Sequence, residues 1–577
     1  MAKRKAPENP AVQVDPSSEA WNKIPWRKLE KHCFRIQKRI YRASQRGNTR
    51  AVQKLQKLLM KSEAARLLAV RKVTQDNQVK KTAVIDGVKI VKPLDRFVMV
   101  HQIHPKYWKH QKPKPVRRVW IPKPGKKEFR PLGIPTMLER AKQAVVKAGL
   151  EPEWEARFEP NSYGFRPGRS CHDAIAAIFN HIRYKPKFVL DADIAECFDN
   201  INQEALLCKL QTSSELRRVI KSWLKAGVLE GEVFSPTEAG TPQGGVVSPL
   251  LANIALHGME MAIKGTCKKN EQPVLIRYAD DFLVLHPQKD VIEEAREAVT
   301  SWLKEMGLIL SPQKTKITHT LSPYEGQVGF DFLGFTVRQF PVGKTNTGKD
   351  GQGRLLGFKT IIRPSKEAVK RHVAQIKKKI RQLRGAPQEK LIRDLNPIIR
   401  GWATYYRTVV AAETYRHCDD VVYHQLVQWV KWRHPNKNAQ WRNKKYWRTI
   451  GDQNWVFAAS ETMTIRKHGM THILHPYVKV RANASPYDGN LLYWSQRLKN
   501  HPMLRGKVAK LLQKQQGKCR WCELTFREGD RIEIDHRDGN HANDESSNLV
   551  ALHRHCHDER HATPHEEWVH AAGVNHK

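Results

Sequence analysis

The sequence predicts an α+β protein of several domains, and three features carry that expectation. Short β-favouring runs with acidic residues at their ends lie mid-chain, at residues 188–194 and 274–285. Helical stripes of apolar residues set among Lys and Arg flank them on both sides. The chain closes on a Cys/His-rich tail. At 577 residues there is room for several domains. The 101 Lys and Arg against 57 Asp and Glu leave a formal charge of +44 and a pI of about 10.0. Such an excess repels itself unless an anion neutralises it, so a nucleic-acid partner is expected. An anionic membrane is the rival, but there is no apolar run of transmembrane length and no signal-peptide core. Nine cysteines are too few for a disulfide scaffold, and Cys197 and Cys208 read as small core residues in a reducing cytosol.

The central stretch is Tyr278-Ala-Asp-Asp281, with Val274-Leu-Ile276 before it and Phe282-Leu-Val-Leu285 after it. Apolar runs around a tight polar link predict a β-hairpin with two carboxylates at its tip. Two adjacent aspartates alone would pass for an Asx-rich turn. The acidic strand Phe188-Val-Leu-Asp-Ala-Asp193 changes the reading, because beside the hairpin it brings Asp193 near Asp280 and Asp281. Like charges about 4 Å apart repel by roughly 4 kcal/mol at an effective dielectric near 20. A trio is tolerable around a hard cation, and Mg²⁺ suits oxygen ligands. Paired Mg²⁺ ions on carboxylates are the machinery of phosphoryl transfer to a 3′-hydroxyl.

Taken in order, residues 1–20 are polar and proline-bearing and are expected to be disordered. Leu29, Cys33, Ile36 and Ile40 repeat at helical spacing, and a second helix is expected over about 51–70; both have basic polar faces suited to RNA. Residues 100–190 hold a strand ending in the basic turn Pro122-Lys-Pro-Gly-Lys-Lys127 and the block Arg130-Pro-Leu-Gly-Ile-Pro-Thr136. An amphipathic helix is expected over 291–306, an exposed excursion over 341–357, and a further helix on Val369, Val373, Ile376, Ile380 and Leu383. Residues 417–500 interleave aromatics with cations, a pattern that suits stacking on single strands and equally a small domain with buried tryptophans.

In the tail, Cys519-x2-Cys522 and His553-x2-Cys556 are knuckle-like pairs suited to tetrahedral zinc. Of the two nearby histidines only His553 keeps that spacing to Cys556, so a Cys3His set with His553, not His555, is expected.

Several blocks together resemble group II intron-encoded proteins, the reverse transcriptase–maturases. They are Arg130-Pro-Leu-Gly-Ile-Pro-Thr136, Asn161-Ser-Tyr-Gly-Phe-Arg-Pro-Gly168, Asp193-Ile-Ala-Glu-Cys-Phe-Asp199, Gly240-Thr-Pro-Gln-Gly-Gly245, Tyr278-Ala-Asp-Asp281 and Phe332-Leu-Gly-Phe335. The resemblance implies a right-hand polymerase whose fingers and palm carry an antiparallel sheet, then an α-helical thumb, then a zinc-containing ββα-metal HNH domain. Its expected domains are an N-terminal RNA-binding extension at 21–100, fingers and palm at 101–340, and thumb or maturase domain at 341–416. A DNA-binding region follows at 417–504 and an HNH endonuclease domain at 505–577. The loop around Val79 and Val84 carries valines where the family has glycines.

By the same resemblance, Asp193, Asp280 and Asp281 are the catalytic Mg²⁺ ligands; the interval to Phe198 selects Asp193 over Asp191. Lys123 and Arg130 contact the incoming triphosphate, Phe198 lies under the sugar and excludes a ribose 2′-hydroxyl, and Gln243 belongs to the nucleotide-binding set. Gly334 falls in the primer grip. In the tail, which resembles the HNH nucleases, His536 is the general base, Asp535 and His557 hold a Mg²⁺, and Asn548 braces the hairpin. His561 stands where the family has Lys and is left out. A purely structural zinc ribbon is the competing reading. The implied whole is an RNA-directed DNA polymerase, maturase and DNA endonuclease with intron RNA, target DNA and dNTPs as partners and no membrane. It would act in the bacterial cytoplasm as a nucleoid-associated ribonucleoprotein. A non-enzymatic splicing factor, or a retron-type or diversity-generating reverse transcriptase, is the alternative.

Overall fold

The computed structural model describes residues 20–21, 23–76, 92–122, 128–265, 272–474, 476–499, 506–526, 530–540 and 543–562. The expected disordered residues 1–19, the loop around Val79 and Val84, and Lys123 lie outside them.

The N-terminal stripe forms the helix Trp26–Gln45, burying Cys33, Ile36 and Ile40. The second expected helix is two, Thr49–Lys61 and Glu63–Arg71. They part at Ser62, whose extended backbone (φ −62°, ψ 129°) ends one and starts the next. All three pack with the helix Met137–Glu155, a nearly all-buried element capped by the Thr136 side chain. The fingers sheet pairs β1 (Val116–Pro122) with β2 (Phe129–Ile134) in antiparallel register.

The palm sheet is built from β3 (Phe188–Asp193), and the fingers sheet gains β4 (Val228–Glu230) and β5 (Val233–Ser235) on the far side of β1. The expected central hairpin is β6 (Val274–Tyr278) and β7 (Asp281–His286). With β8 (Lys316–His319) the palm order is β6-β7-β3-β8, every pair antiparallel. Leu190, Ala192, Phe282 and Val284 pack on one face into a core shared with the helix Lys289–Glu305. Val189, Ile276, Leu283 and Leu285 pack on the other with the helix Cys171–Ile182. Burial on both faces is why these strands read as continuous apolar runs rather than alternating ones.

Next to the palm, β9 (Phe330–Phe332), β10 (Phe335–Pro341) and β11 (Phe358–Pro364) form a three-stranded sheet. The thumb helices Lys366–Gln382, Gln388–Tyr406 and Ala412–Arg433 follow, sharing a core of Ile376, Ile399, Leu426 and Trp429. The last of them runs straight across the boundary expected at 416/417. The hairpin β12 (Trp447–Ile450) and β13 (Gln453–Phe457) extends this core. Residues 476–499 then return to the palm, where the buried Asp173 accepts from Val480 N and Arg497.

The tail has its own small core around Leu512, Phe526 and Leu552. Its hairpin, β14 (Ile532–His536) and β15 (Leu549–His553), leads into the helix Arg554–Ala562. Among the described residues no helix is long and apolar enough to cross a membrane.

Candidate active site and metal centre

Register alone brings two of the palm acids together: in the β3–β7 pair, Asp193 stands opposite Asp281. Directly opposed residues have Cβ atoms about 4.5–5.5 Å apart. Asp280 sits in the link, reached because Ala279 takes a left-handed conformation (φ 60°). Gly164 explains how the link is held. A Cβ there would lie 2.4 Å from Ala279 N, so the Asn161–Gly168 block can lie against the hairpin only with glycine at that point. Behind the link, the fully buried Arg277 donates to Asn253 Oδ1 (3.0 Å) and to the Ala279 carbonyl (3.1 Å). Burial lowers the Arg277 pKa, and Glu159 counters it.

The electrostatics of this tip suit a cation. Burial, then Asp280, then Asp193 push Asp281 up to about 8. Asp280 is raised too, first by burial and then by Asp193, while Arg130 and Lys314 pull it back. The Lys314 ammonium donates to Asp193 Oδ2, a partner that sequence reasoning did not find. Asp191 lies one rung deeper, opposite Lys316 and Leu283, and is pushed up to about 6, chiefly by burial. An oxygen-only donor set of three carboxylates, relieved only in part by Lys314 and Arg130, fits a hard divalent cation.

Of the nucleotide-side candidates, Arg130, Phe198 and Gln243 lie among the described residues. Gln243 Nε2 donates to Asp199 Oδ2 (3.2 Å), and Gly133 N donates to the Gln243 carbonyl, tying that loop to β2. Phe198 meets Phe165 edge-on with ring centroids 6.1 Å apart. Arg130 is exposed on β2, opposite Ile121. The Leu333-Gly334 turn between β9 and β10 is clasped by the thumb: Tyr405 OH donates to Leu333 O and Tyr406 OH to Gly334 O.

In the tail two sets of side chains converge, each with ligand atoms within 4.8 Å of one another: Cys519, Cys522, His553 and Cys556, and Asp535, His557 and His561. These are the only such sets among the described residues, and the three palm aspartates are not among them. In the first set His553 Nδ1 faces the Cys522 sulfur at 3.2 Å and Nε2 faces Asp530 at 3.4 Å. His555 points away, its Nε2 3.1 Å from Glu30 Oε1 on the N-terminal helix. Three thiols and one imidazole fit zinc.

The second set brings His561, left out of the expected metal ligands, beside Asp535 and His557. His557 and His561 are four apart on one helix, so they share a face, and His561 Nε2 lies 3.2 Å from Asp535 Oδ1. The other oxygen, Oδ2, accepts from Arg560 at 2.8 Å. Asn548 closes the loop after His536, accepting from Asp538 N and donating to Asp538 Oδ1 and Asn543 O. His536 Nε2 faces Asp544 at 3.3 Å.

Three family models match along the chain. A model of the N-terminal domain of reverse transcriptase matches residues 21–103. A reverse transcriptase (RNA-dependent DNA polymerase) model matches 121–337, and a group II intron maturase-specific domain matches 369–447. Group II intron-encoded protein LtrA of Lactococcus lactis subsp. cremoris is 29% identical over 325 residues, 45% of this chain and 53% of that protein. Protein YkfC of Escherichia coli (strain K12) is 33% identical over 262 residues, 39% of this chain and 67% of that protein. The chain belongs to the group II intron-encoded reverse transcriptase–maturase family. It spans about half the length of LtrA. A structure of telomerase from Candida albicans with a fragment of telomeric RNA aligns at 14% identity, covering 59% of this chain and 62% of that one, with a TM-score of 0.32. The three family models stop at residue 447, so the tail rests on its own geometry.

Proposed function

We propose that this family member is an RNA-directed DNA polymerase and maturase whose tail is a metal-dependent DNA endonuclease. With a group II intron RNA it would form a ribonucleoprotein that inserts the intron into DNA. The HNH tail would nick the opposite strand, and the polymerase would copy the RNA from that 3′-hydroxyl, as in retrohoming. The observation that carries the reading is the opposed pair Asp193 and Asp281, with Asp280 at the link and Asp281 pushed up to about 8.

Asp193, Asp280 and Asp281 would hold Mg²⁺, which when bound supplies Lewis-acid activation of the 3′-hydroxyl and the triphosphate. Around it, Arg130 and Lys123 would orient the triphosphate, a guanidinium fork suiting phosphate. Phe198 would fill the space of a ribose 2′-hydroxyl, and Gln243, held on Asp199, would fix the loop beneath the nucleotide. In the tail, Asp535, His557 and His561 would hold a divalent ion. His536 would take the proton from the attacking water, with Asn548 fixing its loop. Cys519, Cys522, His553 and Cys556 would hold a structural Zn²⁺. Basic helices at 26–71 support binding to intron RNA. The exposed Trp432, Trp441 and Trp455 among Lys and Arg support nucleic-acid contact by the 417–457 part of the expected DNA-binding region.

Two substitutions separate the activities. Asp280→Ala is expected to abolish primer extension and keep intron RNA binding. His536→Ala is expected to abolish second-strand nicking and keep primer extension. Robust extension by the first variant, or equal loss of both activities in the second, would overturn the reading.

A further inference from the structure

A cavity of about 930 Å³ lies between the N-terminal helices, the helix Met137–Glu155 and the zinc knuckle of the tail. Its carboxylates are all engaged within the protein: Glu30 and Asp76 with Arg71, Glu151 with Lys147, Glu523 with Arg27, and Asp530 with His553. Some of its cations are paired in turn, as Arg71, Lys147, Arg497 and Arg554 are, but others are not. Lys31 and Lys38 on the first helix, Lys72 after the third, and Lys518 and Arg531 on the tail line the cavity with no acidic partner among the described residues. Two walls of one sign repel across a cleft unless an anion lies between them. Partly exposed aromatic rings, Phe34 and Trp494, also line it, and Lys38 Nζ stands 5.8 Å from the Phe34 ring centroid.

We propose that this cleft binds a single-stranded polynucleotide, its phosphates on the five cations and a base against Phe34 or Trp494. Cations with interleaved rings are the features that hold single strands without sequence preference. The volume lies near the top of the range of about 300–1,000 Å³ that encloses a small ligand. It therefore suits a few nucleotides of a strand and not a turn of duplex. The site rests on the nucleic-acid-binding reading above and adds to it a surface formed jointly by the tail and the N-terminal helices.

The test uses the full chain and short oligonucleotides carrying a photoreactive thio-base, one set RNA (thiouridine) and one DNA (thiothymidine). Cross-linked peptides are mapped in the wild type and in Lys518→Glu/Arg531→Glu. The expected result is a cross-link at Phe34 or Trp494 in at least one set, which identifies the strand. In the variant its yield should fall roughly tenfold, and the log–log salt slope of binding should become shallower by about 0.7 for each phosphate left without its cation. No cleft peptide in either set, or an unchanged yield in the variant, overturns the proposal. Zinc content checks that the variant folds. Should it not, Lys31→Glu/Lys38→Glu on the opposite wall gives the same yield comparison. Primer extension by Lys518→Glu/Arg531→Glu should match the wild type. An extending wild type with no cleft cross-link sinks this site alone, whereas a wild type that never extends a primer sinks the polymerase reading.

Discussion

The palm and the tail each gather potential metal ligands, and they do it by opposite means. The tail's sites are local: Cys522 meets His553 across 31 positions and Arg560 meets Asp535 across 25. Their donors include thiols and imidazoles, which can sit together uncharged, and the sets are already drawn to within 4.8 Å. The palm's site is assembled over distance, with Lys314 reaching Asp193 across 121 positions and Tyr406 holding Gly334 across 72. Its donors are carboxylates, which resist one another until a cation arrives. The difference teaches where each site keeps its order. The tail's geometry rests on neighbours close in sequence. The palm's rests on the whole fold.

The largest expected effect breaks the tail alone. Structural zinc in finger peptides is worth apparent values of about 10–16 kcal/mol, far more than so small a core supplies. His553→Ala should therefore lose zinc and unfold the tail within the full chain, read as zinc content and as protease cleavage after residue 505. His555→Ala should keep zinc, because that ring faces Glu30 and not the thiols. Zinc retained in the first and lost in the second would move the ligand by two residues.

The same contrast governs what could be read from the sequence. The hairpin and the convergence of Cys519, Cys522, His553 and Cys556 were legible because residue type and short spacing define them. Lys314 was not, since nothing local in Ser311-Pro-Gln-Lys314 points to a carboxylate on another strand. Arg277 left a usable signal, a lone guanidinium inside Val274-Leu-Ile276 and Tyr278, because a buried charge must find partners elsewhere. The break at Ser62 was signalled by Ser62-Glu63, a helix-start pair, while the apolar stripe ran on through it. His561 was set aside on the family's lysine, although its i, i+4 spacing to His557 already placed both on one face. The expected 416/417 boundary falls inside one helix, Ala412–Arg433, so no break in local structure marks it.

A medium effect sharpens the palm side. Glu159 lies 3.0 Å from His257 Nδ1 and near Arg277. Burial alone would raise its pKa, but the His257 hydrogen bond and charge, then Arg277, outweigh burial and hold it at about 2, against 4.5 for a free glutamate. A depressed carboxyl stabilises the fold fully above about pH 4.5, and that stability drains as the pH falls toward 2. The depression corresponds to about 3 kcal/mol. Glu159→Gln should be less stable than the wild type at pH 6 and approach it by pH 3, followed by urea denaturation at each pH. Parallel profiles for the two proteins would mean that Glu159 is not part of the prop behind the hairpin.

The smallest effect asks whether the palm truly depends on distant clasps. Tyr406 OH donates to Gly334 O at 3.2 Å, so Tyr406→Phe removes one hydrogen bond, worth about 1 kcal/mol. Gly334 sits at φ 83°, and a Cβ there would come within 2.9 Å of the Tyr406 hydroxyl oxygen. Gly334→Ala therefore carries two penalties, backbone strain of roughly 1–2 kcal/mol and the collision with that oxygen. Removing the hydroxyl first abolishes the collision and leaves only the strain. The double variant should thus be less destabilised than the sum of the singles, with a coupling of about 0.5–3 kcal/mol read from urea midpoints. Additivity within about 0.5 kcal/mol would show that the thumb does not hold this turn. The primer-grip segment would then owe its shape to the local β9–β10 pairing, as the tail owes its shape to local contacts.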